Sequence, residues 1–148
     1  MKSINRNQIL SLSKRILFVA LVVFGSTFLQ IYWSMGQFAD QMSSACLECW
    51  FVEDAFYMSV MTSVFLAIVF NFLEMVQSRV FRIVVQFLLL ISAWFFLDYS
   101  IFVERESSWS TYHFNEELYY VATLSFLSIL ILSCLNIMII NYKSFLKI

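Results

Sequence analysis

The chain has 148 residues, with nine Lys and Arg against ten Asp and Glu and a net charge of −1. Hydrophobic residues make up 61% and charged residues 13%, about half the usual charged share of soluble domains, and mean hydropathy is +0.82. Four long apolar stretches use up almost the whole length, which excludes a soluble catalytic domain; once they are placed in lipid no basic face remains for nucleic acid.

The stretches fall at roughly residues 16–35, 56–77, 80–103 and 118–141, each close to the length of about 20 residues that a helix needs to cross a hydrocarbon core. They are continuous rather than alternating. A β-barrel is therefore ruled out and an all-α, integral membrane four-helix bundle is predicted, as one transmembrane domain over 1–148. Residues 1–14, polar with scattered Ile and Leu, predict a short interfacial helix leading into the first span. The apolar part of that span, Ile16 to Ile31, outruns the apolar core of a signal peptide, about 7–15 residues, and no small-x-small cleavage site follows it. Ser43-Ser44-Ala45-Cys46 lies too far along the chain for a lipoprotein box and lacks the leading aliphatic residue.

The segments between spans sort by charge. Eight of the nine basic residues, Lys2, Arg6, Lys14, Arg15, Arg79, Arg82, Lys143 and Lys147, lie on one side. Eight of the ten acids, Asp40, Glu48, Glu53, Asp54, Glu104, Glu106, Glu116 and Glu117, lie on the other. The positive-inside rule then places both termini and the 78–79 turn in the cytoplasm of a bacterial inner membrane, N-in and C-in. Spans two and three, separated by only Ser78-Arg79, predict an antiparallel hairpin. The chain has no Pro and two Gly, Gly25 and Gly36, so straight helices are expected, unlike the broken helices at transporter midplanes. Aromatic residues crowd the expected outer boundary, among them Tyr32, Trp33, Trp50, Tyr57, Trp109, Tyr119 and Tyr120, as an interfacial belt or as a partner surface.

Cys46-Leu47-Glu48-Cys49 sits in the first outer loop, an oxidising compartment. The spacing fits a structural disulfide, a redox pair in which one thiolate attacks and the other resolves, or a pair of metal-binding or free thiols. With four spans, cytoplasmic termini and this motif, the chain resembles the disulfide-generating membrane oxidoreductases of the DsbB family. That resemblance implies thiol–disulfide exchange at Cys46 and Cys49. The family also uses a second Cys pair in the second outer loop, where this chain has none, and its third Cys, Cys134, lies in span four.

Span two carries Ser59, Ser63, Ala67, Asn71, Glu74 and Ser78 at helical spacing, a small-residue face suited to close packing and, in an oligomer, to a seam between copies. Glu74 is an ionisable group at the inner boundary, with Arg79 and Arg82 as expected partners. Other polar residues at depth are Gln30, Gln86, Asp98, Ser133 and Asn136. Gln86 and Asn136 are expected to bond one another or to pair between subunits, and Asp98, near the outer boundary, to be hydrated. His113 stands alone, and no metal site, cofactor or catalytic residue is expected.

Length, topology and a Phe/Ile/Ser/Asn-rich, Gly- and Pro-poor composition are similar to those of the KwaA family, the four-span membrane subunit of the bacterial antiphage system Kiwa. The resemblance implies a homo-oligomer in the inner membrane that recruits a cytoplasmic effector. Immunity proteins against pore-forming bacteriocins look similar as well, and would imply one-to-one toxin neutralisation. The expected role is a non-enzymatic membrane scaffold or sensor that self-associates and recruits a cytoplasmic effector. Arg6, Lys14 and Lys147 are then the basic residues most available for docking.

Overall fold

The computed structural model describes the backbone of residues 6–145, and side chains from Leu10 to Tyr142 except Ser11. Within those residues there are four long helices and no strand: α1 Arg6–Met35, α2 Phe51–Leu73, α3 Arg79–Arg105 and α4 Phe114–Phe145. Four segments built on these helices are long and apolar enough to cross a membrane, Leu12–Phe38, Phe51–Leu73, Arg79–Trp109 and Phe114–Tyr142. Single 3₁₀ turns follow α1 at Gly36–Phe38 and α3 at Ser107–Trp109. The stretch before the first span does not form a separate helix. From Arg6 onward it is the first part of α1, because no Gly or Pro interrupts it.

Helix ends follow local chemistry. Glu53 and Asp54 in the first turn of α2, and Glu116 and Glu117 in that of α4, place negative charge where backbone N–H groups lack partners. Glu53 Oε2 accepts from Trp50 N at 3.5 Å and Glu116 Oε2 from His113 N at 2.9 Å. Ser78 caps α3, its hydroxyl accepting from Phe81 N at 3.4 Å. These caps move the second span: α2 runs from residue 51 to 73 rather than from 56 to 77, and residues 74–78 form the connection to α3.

The helices alternate in direction, so the described ends of α1 and α4 lie at one end of the bundle. α1 packs against α2 and α4, α4 against α3, and α3 more lightly against α1 and α2. One apolar cluster gathers Val23, Leu66, Phe70, Leu90, Trp94 and Leu132. A second, at the Arg105 end, gathers Ile31, Met35, Phe38, Phe51, Ile101 and Phe102. The outward surface is apolar too, with Leu21, Met61, Phe65, Phe72, Phe96 and Phe126 each more than half exposed. An apolar surface of that extent suits lipid and not water.

The small-residue face of α2 is consumed within one chain. Ser59, Ser63 and Ala67 are buried against its interior, and Ala67 shares a small gap with Ile16 and Val19 of α1. Those three positions form a seam between helices of one molecule, the close packing expected of this face. The Ser59 hydroxyl turns back to Ala55 O at 2.6 Å and that of Ser63 to Val60 O at 2.8 Å, so neither hydroxyl enters lipid. Ala67→Leu is expected to overpack α1 against α2 and destabilise the monomer by about 1–3 kcal/mol. Thermal unfolding of the detergent-solubilised chain checks this: a lowered midpoint with unchanged particle mass is the expected outcome.

Candidate functional site

α3 carries the chemistry that ties the bundle together. Arg82, Gln86, Trp94, Asp98 and Arg105 lie along one broad stripe of the helix and, apart from half-buried Arg82, are buried. At about 1.5 Å per residue the stripe spans roughly 35 Å, the full thickness of a hydrocarbon core.

At one end Arg105 is only 2% exposed. Its Nη2 meets Asp54 Oδ2 of α2 at 2.6 Å and donates to Cys49 O at 3.3 Å, while Nη1 donates to Gln41 O. Its guanidinium also lies over the Phe51 ring, 5.3 Å from the centroid. The planar, multi-donor head of Arg suits such a junction. More bonds draw the α1–α2 loop onto the same end: Ser44 N donates to Glu104 O at 2.9 Å, and Trp109 Nε1 to Met42 O at 2.9 Å. Cys46 and Cys49 form a disulfide within that loop. Arg105 is thus a clamp joining loop, α2 and α3. It is the ninth basic residue, which the charge pattern leaves unexplained; its spacing of seven from Asp98 is the signal that it faces inward.

About 10 Å further along α3, Asp98 is completely buried. Gln30 Nε2 donates to its Oδ2 at 2.6 Å, and the Ser34 hydroxyl to its Oδ1 at 2.8 Å. Gln30 Nε2 also reaches Ser34 Oγ at 3.2 Å, so the three side chains form a closed cluster between α1 and α3. The expectation that Asp98 is hydrated is therefore incorrect. Its neighbour Tyr99 faces another way and donates to Glu117 Oε2 at 2.9 Å. One turn below the cluster, Trp94 Nε1 donates to Thr27 Oγ1 at 2.8 Å.

Gln86 and Asn136 do not meet. Gln86 Oε1 accepts from Asn141 Nδ2 at 3.0 Å, and Asn136 bonds the Ser26 hydroxyl of α1. The antiparallel pairing of α3 and α4 puts residue 141, not 136, level with residue 86. Gln30 Oε1, Gln86 Nε2 and Asn136 Oδ1 are among the buried side-chain atoms without a hydrogen-bond partner within the described residues.

At the other end Glu74 is held by two cations. Arg82 Nη1 lies 3.3 Å from Oε2, as expected from the turn, and Arg15 of α1 pairs with Oε1. Arg15 joins from across the bundle, which no local spacing reveals. Asn71, half-buried, lines the small gap beside this group. Lys14 is exposed. The Arg6 side chain and Lys147 lie outside the described residues. Cys134 is free and exposed on α4, in the span and away from the loop disulfide.

Comparison of the chain with protein-family models, curated proteins and solved structures returned no match.

Removing one partner of a buried ion pair strands the other charge. Arg105→Met also frees the Gln41 and Cys49 carbonyls and should destabilise the chain by about 3 kcal/mol. Asp54→Asn leaves the guanidinium, 2% exposed, without its counter-charge but keeps its bonds to the Gln41 and Cys49 carbonyls, so it should loosen the loop less. Chymotrypsin cleavage beside Leu47 and Trp50 in reconstituted protein is the direct check, expected to quicken most in the Arg105 variant.

Proposed function

We propose that this chain is a multi-pass bacterial inner-membrane sensor and scaffold, oriented N-in and C-in, that passes a change at its outer cap to its cytoplasmic face. The observation that carries this reading is the polar stripe of α3. One rigid helix holds the loop clamp at Arg105, the buried cluster at Asp98 and the Arg15–Glu74–Arg82 group at the far end. Polar contacts in lipid have discrete partners, so a helix that shifts must re-pair them stepwise. Effector recruitment would follow as in the resemblance to the Kiwa subunit, through a cytoplasmic surface to which exposed Lys14 contributes.

The DsbB-like alternative rests on the disulfide itself. Against it, the carbonyl of Cys49 is part of the Arg105 clamp, and only Cys134 remains to relay electrons. Both facts favour a structural disulfide that shapes the loop. Toxin neutralisation would use the same outer cap without any need for the α3 column.

Two measurements test the reading. Alkaline phosphatase fused after Ile148 should be inactive and fused within 104–117 active; the reverse pattern would falsify the orientation. In a Cys134→Ser background, a reporter cysteine at Lys14 should change its rate of labelling by a membrane-impermeant maleimide from the cytoplasmic side when Arg105 is replaced by Met. Adding Asp98→Leu should uncouple the two ends. If the labelling rate ignores Arg105, the coupling proposal fails.

A further inference from the structure

Between residues 104 and 117 the chain carries four acids, Glu104, Glu106, Glu116 and Glu117. The basic side chain among them, Arg105, is turned inward onto Asp54. Beside these acids Tyr112, Asn115, Glu116, Tyr119 and Tyr120 line an open depression of about 360 Å³. Its walls are tyrosine rings set nearly at right angles. Tyr112 and Tyr120 have centroids 5.3 Å apart at 71°, and Tyr119 and Tyr120 6.2 Å apart at 72°. Phe102, 1% exposed, stacks behind Tyr120 at 6.3 Å and lies against Tyr112 at 5.6 Å. Two walls are thereby fixed from behind, while Tyr119, 68% exposed, forms the outer one.

Aromatic faces carry negative charge density, and the three tyrosines line one open depression. A weakly hydrated organic cation suits that arrangement, since ring faces attract it without removing a tight water shell. A divalent metal prefers six or more oxygens, and a phosphate would meet the surrounding carboxylates. Burial, and then the Glu106 carboxylate, raise the phenol of Tyr112 above its ordinary range.

The geometry points to a binding site for an organic ammonium group in the corner of Tyr112, Tyr119 and Tyr120, with Glu116 as its counter-charge. A free amine and an ammonium lipid headgroup share this chemistry. The site is independent of the sensor reading, since it requires only the ring corner and the acid.

The test uses the full chain in nanodiscs of phosphatidylglycerol, with choline as probe and 3,3-dimethylbutan-1-ol as its neutral isostere, followed by calorimetry. Choline should bind saturably and the isostere at least about three-fold more weakly. Tyr119→Ala should weaken choline about two- to five-fold, Tyr119→Phe should restore it, and Glu116→Gln should weaken it. Because Tyr119 is exposed, its variants should keep the wild-type melting point, which separates loss of binding from loss of fold. Absence of saturation, equal binding of the isostere, or indifference to both Tyr119→Ala and Glu116→Gln overturns the site. Titrating phosphatidylethanolamine into the discs assigns the source: competition with choline identifies a lipid headgroup as occupant, and its absence identifies a soluble amine, the site standing in either case.

Discussion

A carboxylate completely buried in a lipid-spanning bundle is the constraint around which this molecule is arranged. Lipid tails are as apolar as leucine, so burying Leu or Phe between helices yields little of the drive it would yield in water. Close packing and polar contacts must supply the rest. Asp98 accepts bonds from Gln30 and Ser34, which lie one turn apart on α1. That arrangement fixes the rotation and vertical register of α1 against α3. Sliding either helix by one turn would leave a carboxylate and an amide unpaired in hydrocarbon, at a cost of several kcal/mol. The Trp94–Thr27 bond reads the same register one turn away, and the Ser26–Asn136 bond extends it to α4.

The two ends of the bundle solve a different problem. There water is close, and charges can be held at lower cost. At the Arg105 end a single guanidinium serves two carbonyls, a carboxylate and an aromatic face, which turns an irregular loop into a fixed cap. At the opposite end one carboxylate serves two guanidinium groups from separate helices, leaving that surface with excess positive charge. The small residues of α2 add close contact with α1 without adding polar bonds of their own between helices.

Four spans were legible because continuous apolar runs of helical length admit almost no other reading in a chain of this composition. Their ends were less so. Hydropathy placed the second span too late, because the acids that cap α2, Glu53 and Asp54, lower hydropathy while favouring the helix start. Glu74 and Arg82 could be paired because a tight turn limits the possibilities. Gln86 and Asn136 could not be assigned partners, since the choice between residues 136 and 141 depends on the relative height of two antiparallel helices, which neither sequence carries alone. Asp98 was misplaced because depth along a helix does not reveal which side it faces. Its spacing from Trp94 and Arg105 contained that information, and Gln30 and Ser34 on α1 offered a matching pair.

The order in which the chain is made sets a further demand. Ser26, Thr27, Gln30 and Ser34 all lie on α1, which is synthesised before α3 and α4. Their partners follow 64 to 110 residues later. At about 5–20 residues per second, α1 must wait on the order of 3–20 s before those groups can be paired. A helix carrying an unpaired glutamine amide gains little by diffusing freely into lipid in that interval. Biosynthesis of this bundle therefore favours retention of α1 beside the insertion machinery, or temporary pairing with α2, until α3 arrives with its aspartate.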